Sequence, residues 1–481
     1  MSASARIVAS EDSIVVSLDG TLVLTDTFAS SALEAVRRRP VSIFHLLAAR
    51  LHGPAHCRRV AAEAASLKVD ILPYNRRLIE YLEREKARGR RVILATRSDL
   101  KIAEGVAAHL GVFDDVIGGD GQTEWTGEEM YQAVQTKVGN GRFVYAGDKR
   151  REPALWAAAS GAVLAGKSRP SPLSDTGANV EIESDSEGGR RSIKALLRCL
   201  RPHQWSKNAL VFVPLVLAHR LTDIAGLGHA ALAFLAICFA ASCLYIVNDL
   251  LDLQGDRLHP RKRKRPLASG EVSIAAGGSL VMLMAAGALV LAVFLPPKAA
   301  ALLLLYAVFS FTYSLQLKRI LFLDVVSLSL LYAMRVLYGG AAASITISVW
   351  TLLFSLFLFV SLATVKRLGE LRRVDVSRAG LHEYRGYQPV DVTQLSSLAS
   401  ASSYVAILVL ALYINSPEVA ILYRHPMRLW LLFPLFIYWL SRLTLLANRG
   451  DLHDDPVAFA LTDRITWAVG LFATVILILS A

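Results

Sequence analysis

Three aspartates follow a long apolar stretch of the sequence at helical spacing. Asp249, Asp252 and Asp256 lie at positions i, i+3 and i+7, and Asn248 precedes the first of them. On a helix this spacing places the three carboxylates on one face, where they repel each other unless a cation lies between them. Mg²⁺ prefers a few carboxylate oxygens together with phosphate oxygens. We therefore expect these four residues to hold Mg²⁺ bound to a diphosphate.

Six basic residues occur directly after the acids, and Pro266 follows them. Lysine and arginine side chains bind phosphate oxygens, so we expect Lys262, Arg263 and Arg265 to hold the phosphates of a donor substrate. A basic cytoplasmic loop after a polar helix end would explain the basic run, but it would not explain the acidic face.

The segment Asn248–Gly270 resembles the first aspartate-rich motif of the UbiA superfamily of intramembrane prenyltransferases, NDxxDxxxD followed by RPLASG. The resemblance covers about residues 195–480 and includes the number of hydrophobic stretches. It implies an all-α polytopic membrane domain and a Mg²⁺-dependent transferase in which Asp249 and Asp252 are catalytic.

Three segments resemble one branch of this superfamily, the polyprenyl-phosphate phosphoribosyltransferases of the decaprenyl-phosphate type. They are RPHQWSKN at 201–208, HPRKRKRP at 259–266, and KRLGE at 366–370 with RGY at 385–387. Aromatic prenyltransferases of the superfamily usually carry a second aspartate-rich motif at the last place. The resemblance therefore implies 5-phosphoribosyl diphosphate as the donor and a polyprenyl phosphate as the acceptor.

Further polar residues are assigned to the site. The resemblance implies catalytic roles for Lys366, Arg367 and Glu370 and substrate binding by Lys207 and Asn208. We also expect substrate binding by Tyr313, Lys318 and Arg335, because polar side chains in or at the end of a membrane span are costly unless they are functional or paired. Asp324 and Arg335 lie in one hydrophobic stretch but are too far apart along a helix for contact, so each needs another partner. For Lys318, a lysine that extends to the membrane interface is an equally good interpretation.

Two other functions stay open on the sequence. One is a UbiA-type prenyltransferase that moves a polyprenyl group from its diphosphate to an aromatic acceptor. The other is a non-catalytic membrane scaffold that presents the N-terminal half of the chain. The residues KRLGE favour the phosphoribosyl interpretation over the first alternative, and three carboxylates at a membrane face disfavour the second.

The composition indicates the elements that position these residues. The chain has 481 residues, of which 54% are apolar and only 19% charged, and its mean hydropathy is +0.42. A soluble chain usually carries about 25% charge, so disorder, a disulfide scaffold and an ordinary cytosolic enzyme are excluded. The four cysteines show no metal-binding spacing and are expected to be free thiols.

Nine hydrophobic stretches predict nine transmembrane helices, at roughly 209–219, 227–247, 274–295, 298–316, 320–343, 346–365, 394–415, 427–447 and 457–480. The first is short. Lysine and arginine concentrate in the loops after the second, fourth and sixth stretches, which predicts that these loops and the N-terminal half are cytoplasmic in a bacterial inner membrane. The net charge of +12 is assigned to these loops and to anionic ligands, with no nucleic-acid partner. Homo-oligomerisation is left open.

The first part of the chain is expected to be a soluble α/β domain at residues 1–165, joined by a flexible linker at 166–190 to a membrane domain at 191–481. Short apolar runs, at Ser13–Leu18, Val92–Ala95 and Phe143–Ala146, alternate there with helical patterns at 76–88 and 101–109. The order of polar residues at the predicted strand ends resembles the haloacid-dehalogenase (HAD) phosphatases and implies a Rossmann-like fold. The matching positions are Ser17, Asp19, Thr96, Lys137, Asp148 and Glu152.

The first HAD motif departs from its usual form, because Ser17 stands where the family has the nucleophilic aspartate of DxDGT. A serine hydroxyl has no base in this motif to activate it, and it is a poorer Mg²⁺ ligand than a carboxylate. We therefore expect a domain without ordinary phosphatase turnover. It is expected to bind a phosphorylated ligand through Thr96 and Lys137, or to serve assembly or regulation.

Overall fold

A computed structural model describes residues 12–65, 67–119, 125–139, 141–147, 152–164, 179–181, 193–372, 386–452 and 456–481. It divides into two compact units. One unit comprises Met1–Arg201 and Tyr245–Met282, and the other comprises Pro202–Leu244 and Leu283–Ala481.

The first unit contains a six-stranded parallel sheet with the strand order β3-β2-β1-β4-β5-β6. The central strands are apolar and buried, as expected for a parallel sheet covered on both faces. The strands are β1 Ser13–Ser17, β2 Val92–Asp99, β3 Asp115–Gly119, β4 Phe143–Gly147, β5 Gly161–Leu164 and β6 Asn179–Glu181. Strand β6 lies inside the segment that the sequence predicted to be a linker.

Seven helices accompany the sheet, and polar caps fix where several of them begin. Asp26 accepts a hydrogen bond from the Ala29 N–H at the start of α1, and Thr126 and Glu129 form a reciprocal cap on α6. The helices are α1 Thr27–Arg38, α2 Ser42–Leu51, α3 Pro54–Ala64, α4 Arg76–Ala87, α5 Leu100–Leu110, α6 Gly127–Val138 and α7 Pro153–Ala158, and Val69–Ile71 forms a 3₁₀ turn.

The described residues from 193 onward are mostly helical. The helices are α8 Ile193–Leu200, α9 Val213–Leu217, α10 Ile224–Leu251, α11 Leu253–Leu258, α12 Ile274–Val293, α13 Pro297–Leu315, α14 Leu323–Ala342, α15 Val349–Arg372, α16 Val392–Ile414, α17 Pro417–Leu422, α18 Leu432–Arg449, α19 Pro456–Thr462 and α20 Arg464–Ser480. The 3₁₀ segments are Pro202–Phe212, Lys262–Lys264, Leu317–Arg319, Pro389–Asp391 and Pro426–Leu431.

Seven helical segments of the described chain are long and apolar enough to cross a membrane, whereas the sequence predicted nine. The protein is therefore an integral membrane protein. The seven segments correspond to the second through eighth predicted stretches, and they are Ile224–Leu251, Ile274–Val293, Pro297–Arg319, Leu323–Ala342, Val349–Arg372, Pro389–Ile414 and Pro426–Arg449.

The first and ninth predicted stretches differ from long helices for local reasons. The first is the 3₁₀ segment Pro202–Phe212 followed by the five-residue α9, which carries Pro214 in its first turn. A proline lacks the N–H that helix continuation needs. The ninth is divided at Asp463, which caps the 17-residue α20 by accepting from the Thr466 N–H at 2.9 Å.

The 3₁₀ segment nevertheless follows α10 along much of its length. Trp205 donates to Ser242 at 3.0 Å, Asn208 donates to Cys238 at 3.2 Å, and the ring of Phe212 lies 5.6 Å from that of Phe234. As the residue number rises on one segment it falls on the other. The two therefore run antiparallel, and an apolar cluster of Leu215, Ala230 and Ala343 extends the contact.

Candidate functional site

The aspartate motif spans a break between two helices. Asn248 and Asp249 lie in the last turn of α10, Asp252 follows its end, and Asp256 lies on α11. The single continuous helix expected from the spacing is therefore interrupted at Asp252. The Asp252 N–H still donates to the Asn248 carbonyl, and the Asp256 N–H to the Asp252 carbonyl, both at 2.8 Å. The four residues thus remain on successive turns.

Two arginines hold the buried carboxylates of this motif. Nη2 of Arg201 donates to both oxygens of Asp249, at 2.5 and 2.7 Å. Nη1 of Arg265 donates to Asp249 at 3.0 Å and to Asp256 at 2.5 Å. Arg265, predicted to bind donor phosphate, therefore bridges two predicted metal ligands. Arg201 was not assigned by the sequence analysis, although it begins the segment RPHQWSKN.

The oxygen atoms of this motif fit a Mg²⁺ ion with few protein ligands. One oxygen of Asp249 and one of Asp256 converge on a single cationic nitrogen, so two carboxylates approach one position of positive charge. Within the described residues, no group of three or more histidine, cysteine, aspartate or glutamate side chains could hold a metal. Mg²⁺ commonly binds one or two carboxylates and completes its shell with water and phosphate.

Burial shapes the charges around α11. Burial raises the pKa of Asp256, and the Arg265 guanidinium opposes this shift. Burial also lowers the pKa of Arg257 to about 10. Nη1 and Nη2 of Arg257 and Nε2 of Gln254 are buried without a hydrogen-bond partner in the described structure. These donors, which the sequence analysis did not assign, could be satisfied by an anionic oxygen.

The other predicted phosphate ligands of this loop are exposed. Lys262 and Arg263 lie on the 3₁₀ turn Lys262–Lys264, and their side chains face solvent. The turn is fixed by the His259 carbonyl, which accepts from the Arg263 N–H at 3.1 Å. Lys262 and Arg263 are therefore near the motif in sequence, while Arg265 contacts the carboxylates of Asp249 and Asp256 directly.

Arg335 forms a buried polar network with Asn208. Nε of Arg335 donates to Asn208 Oδ1 at 2.9 Å, and Nη2 donates to the Tyr306 hydroxyl at 2.7 Å. The guanidinium carbon also lies 4.9 Å from the Tyr306 ring centre and 5.2 Å from that of Tyr332. Asn208 and Arg335, both predicted to bind substrate, thus bind each other and join the 3₁₀ segment to α13 and α14.

Arg367 forms a second network. Its Nε donates to Asp324 Oδ2 at 2.6 Å, and the Tyr387 hydroxyl donates to Asp324 Oδ1 at 2.8 Å. Nη1 of Arg367 also donates to Glu370. The structure therefore brings the predicted residues Arg367, Glu370 and Tyr387 together around Asp324. Nη2 of Arg367 is buried without a hydrogen-bond partner among the described residues. Arg385, also part of the predicted RGY, lies outside the described residues.

A comparison with protein families decides the identity of this helical part. The sequence model of the family described as "UbiA prenyltransferase family" matches residues 209–475, which is more than half of the chain. The chain belongs to the UbiA prenyltransferase family. It is therefore a UbiA-family membrane transferase, and the scaffold alternative is not retained.

Other comparisons give relatives of the chain. A Sinorhizobium fredii protein, "Uncharacterized protein y4nM", is 34% identical over 460 residues, covering 95% of this chain and 89% of its own. A Mycolicibacterium smegmatis "Decaprenyl-phosphate phosphoribosyltransferase" is 34% identical over 197 residues, covering 40% of this chain and 61% of that enzyme. A solved UbiA homolog from Archaeoglobus fulgidus bound to DMAPP and Mg²⁺ is 19% identical with a TM-score of 0.45, covering 58% of this chain and 96% of its own.

Four predicted residues of the UbiA part take half-buried positions. Lys207 lies in the 3₁₀ segment, Tyr313 in the last turns of α13, Lys318 in the turn Leu317–Arg319, and Lys366 beside Arg367 on α15. All four make further polar or electrostatic interactions in the structure. Their assignment to substrate stays a prediction.

The N-terminal sheet has a cavity of 430 Å³ at the carboxyl ends of its strands. Strands β2 and β4 lie on opposite sides of β1, so the strand order reverses there. Such a topological switch point is the usual ligand site of an α/β sheet. The cavity lining includes four predicted residues, Ser17, Asp19, Thr96 and Glu152, together with Asp26, Phe28, Arg58, Arg97, Ser98 and Pro153.

The carboxylates of Asp19 and Glu152 in this cavity accept hydrogen bonds from neighbouring groups. Asp19 accepts from the Thr27 N–H at 2.7 Å and from the Ser98 hydroxyl. Burial, with the nearby charge of Asp26, raises the pKa of Asp19. Glu152 accepts from the Tyr145 hydroxyl, and its carboxylate lies 3.5 Å from Nε of Arg97.

Lys137 does not lie in this cavity, which corrects its predicted place. Its ammonium contacts Asp115 at 3.2 Å, and Asp115 begins β3, at the amino ends of the strands. Lys137 ends α6, so the direction of that helix turns it away from Ser17. Arg58 and Arg97 supply the positive charge of the cavity instead. Arg97 directly follows the predicted motif residue Thr96, and this neighbouring position was the sequence feature that could have assigned it to the cavity. Asp148 lies outside the described residues.

Proposed function

We propose that this UbiA-family enzyme transfers 5-phosphoribosyl from phosphoribosyl diphosphate to a polyprenyl phosphate. The observation that carries the proposal is the basic pair Lys366 and Arg367 on α15. Where aromatic prenyltransferases are expected to have a second acidic motif, this chain has Lys366, Arg367 and Glu370. Asp324 orients Arg367, whose buried Nη2 retains a donor for an anionic oxygen. The local similarity to a decaprenyl-phosphate phosphoribosyltransferase supports the same substrates.

The reaction joins an anion to a sugar carbon. A phosphate oxygen of the acceptor forms a bond to C1 of the ribose as the bond from C1 to the diphosphate oxygen breaks, and diphosphate leaves with the electron pair. The acceptor is already an anionic nucleophile, so no strong base is required. Arg201 and Arg265 are held at the aspartate motif, where they can neutralise charge on the leaving group.

Asp249 and Asp256, with Asn248 and Asp252 beside them, are the residues that would hold Mg²⁺. When bound there, the ion supplies positive charge that stabilises the departing diphosphate. The acceptor phosphate and the donor are proposed to be oriented by Arg367, Lys366 and Lys207. The remaining contacts with the phosphates are proposed to come from Lys262, Arg263, Tyr313 and Lys318.

Transfer of radiolabelled phosphoribosyl to polyprenyl phosphate in detergent with Mg²⁺ tests the proposal. We expect labelled lipid from the natural chain and a loss of roughly a hundredfold or more in Asp249→Asn, because the motif loses a charged ligand. Asp451→Asn, at an exposed aspartate, is the matched control and should be as active as the natural chain. Absence of labelled lipid, in a preparation that prenylates an aromatic acid from polyprenyl diphosphate, would establish the prenyltransferase alternative.

For the N-terminal domain we propose a HAD-like fold that binds a phosphorylated ligand without hydrolysing it. The parallel sheet, the cavity at its switch point and the position of Ser17 support this proposal. The Ser17 side chain hydrogen-bonds the Tyr145 hydroxyl, and burial together with Glu152 holds the pKa of Tyr145 above its usual value. A phenol of this kind is a poor base for activating serine.

The natural chain should release no phosphate from phosphomonoesters in the presence of Mg²⁺, while Ser17→Asp should introduce such activity. The reason is that only the substitution supplies a carboxylate nucleophile and metal ligand. Phosphate release is measured by a colorimetric assay. Turnover by the natural chain that disappears in Ser17→Ala would overturn the proposal.

We also propose that the N-terminal domain and the basic loops lie on the cytoplasmic side of a bacterial inner membrane. The concentration of lysine and arginine in alternate loops supports this orientation.

A further inference from the structure

Helix α1 of the N-terminal domain contacts the loop that carries the aspartate motif. Both α1 and the 3₁₀ turn Val69–Ile71 contact α11, which bears Asp256. Leu33 of α1 packs against an apolar cluster that supports the motif. The buried members of that cluster are Ala195, Cys199, Ile246, Leu250, Leu253, Leu267, Ala268 and Val272.

A second contact requires a glycine at the far end of the loop. Gly270 has a φ of +79°, a conformation that favours glycine. A Cβ atom at this position would lie 2.9 Å from Cβ of Leu24 and 3.2 Å from the Leu24 carbonyl oxygen. The close approach of the two backbones therefore depends on the absence of a side chain.

The first turn of α1 and its cap form a wall of the cavity in the sheet. Asp26 and Phe28 line that cavity, and the Thr27 N–H donates to Asp19 at 2.7 Å. The Thr27 hydroxyl donates to Ser98 at 3.0 Å, and Ser98 donates to Asp19. One 12-residue helix therefore carries both a wall of the cavity and a contact with the aspartate loop.

We propose that α1 is a positioning element through which the N-terminal domain sets the geometry of the aspartate loop and so controls donor binding. The docking surface consists of Leu33 on α1 and of Leu24, three residues before α1. Leu33 packs against the apolar cluster described above, and Leu24 packs against Gly270. The role in donor binding rests on the proposed function of that loop, whereas the docking itself does not. A change in the cavity that moves Thr27 would be transmitted along α1 to the loop.

Hydrogen–deuterium exchange of the full chain tests the docking without any assay of activity. Leu33→Asp places a charge in the apolar cluster and should increase exchange in residues 253–272 while β1, β2 and β4 keep their protection. Leu33→Ile should behave as the natural chain. Leu51→Asp is the matched control, since Leu51 is 88% exposed on α2. Unchanged exchange of residues 253–272 in Leu33→Asp would overturn the proposal.

Gly270→Ala breaks the same surface from the other side and decides the question if Leu33→Asp unfolds the sheet. It should increase exchange in residues 253–272 without affecting β1, β2 and β4. Because both substitutions loosen the same docking surface, their effects in the double variant should be less than additive. Independent, additive effects would contradict a shared docking surface.

The transfer assay then tests control of donor binding. Leu33→Asp and Gly270→Ala should raise the KM for phosphoribosyl diphosphate about tenfold with kcat changed less than about twofold, because α1 touches the loop and not the reacting atoms. Increased exchange in residues 253–272 together with an unchanged KM would overturn the proposal that α1 controls donor binding. If the natural chain transfers no phosphoribosyl at all, the proposed function fails while the exchange result still decides the docking.

Discussion

At the scale of single residues, arginines explain how acidic groups are accommodated. Arg265 lies between Asp249 and Asp256, and Arg367 compensates Asp324 in a pair whose side chains are almost fully buried. The sequence identified these arginines as functional but could not identify their partners. Asp324 and Arg367 are far apart in the chain, and only the packing of α14 against α15 joins them.

Asp324→Asn should destabilise the protein by about 3–5 kcal/mol, because it leaves the buried Arg367 guanidinium without its main compensating charge. Thermal unfolding in detergent measures the effect. The double variant Asp324→Asn with Arg367→Met should recover much of the loss. Additive losses in the double variant would show that the two residues are stabilised independently.

Asp19→Asn should stabilise the N-terminal domain at pH 7, because burial and the charge of Asp26 raise the pKa of the natural carboxyl. Protonation of Asp19 favours the folded state. The contribution of Asp19 to the free energy of unfolding is therefore largest at low pH and is lost as the pH rises through its raised pKa. The stabilisation of the domain by Asp19→Asn should therefore become smaller as the pH falls.

Hydrogen exchange in β1 and β2 of the full chain at several pH values measures this difference. Glu104→Gln, at an exposed position on α5, serves as the control. If Asp19→Asn became more stabilising as the pH falls, the result would contradict the raised pKa of Asp19.

At the scale of elements, periodicity predicted the regular part of the fold. The apolar runs Ser13–Leu18, Val92–Ala95 and Phe143–Ala146 are confirmed as parts of β1, β2 and β4, and the helical patterns at 76–88 and 101–109 are confirmed as α4 and α5. Seven of the nine predicted spans are confirmed as long apolar helices. These elements are determined locally, by hydrophobic spacing and caps.

The elements that sequence analysis missed depend on distant contacts. In the segment Pro202–Phe212, the Asn208 side chain donates a hydrogen bond to Cys238 and accepts one from Arg335. No local sequence pattern encodes these partners. Lys137 was misplaced because its position in a motif order does not reveal toward which edge of the sheet its helix directs it. The pairing of Asp249 with Arg201 likewise required the fold.

Gly339→Ala tests the packing of the 3₁₀ segment on α14. A Cβ atom at Gly339 would overlap the Val211 carbonyl group, so the substitution should destabilise the protein by roughly 1–3 kcal/mol. Thermal unfolding in detergent measures the change. Gly278→Ala on α12 is the matched control, since a Cβ atom there meets nothing within 4 Å. Equal melting temperatures for both variants would contradict the close approach.

At the scale of the whole molecule, the chain joins a UbiA membrane transferase to an α/β domain. The relative in Sinorhizobium fredii matches 95% of this chain and therefore includes both parts. If the α/β domain were an active phosphatase, it could remove the 5-phosphate from the product of the proposed transfer. With Ser17 in place of a nucleophilic aspartate, we expect the phosphate to stay on the product.

Mass spectrometry of the lipid formed by the full chain from phosphoribosyl diphosphate, polyprenyl phosphate and Mg²⁺ tests this account most directly. We predict a polyprenyl phosphate that has gained one ribosyl group with its 5-phosphate retained, and no such product from Asp249→Asn. A ribosylated lipid without that phosphate would contradict the proposal of a non-hydrolytic N-terminal domain. An unmodified lipid, from protein that prenylates an aromatic acceptor, would contradict phosphoribosyl transfer itself.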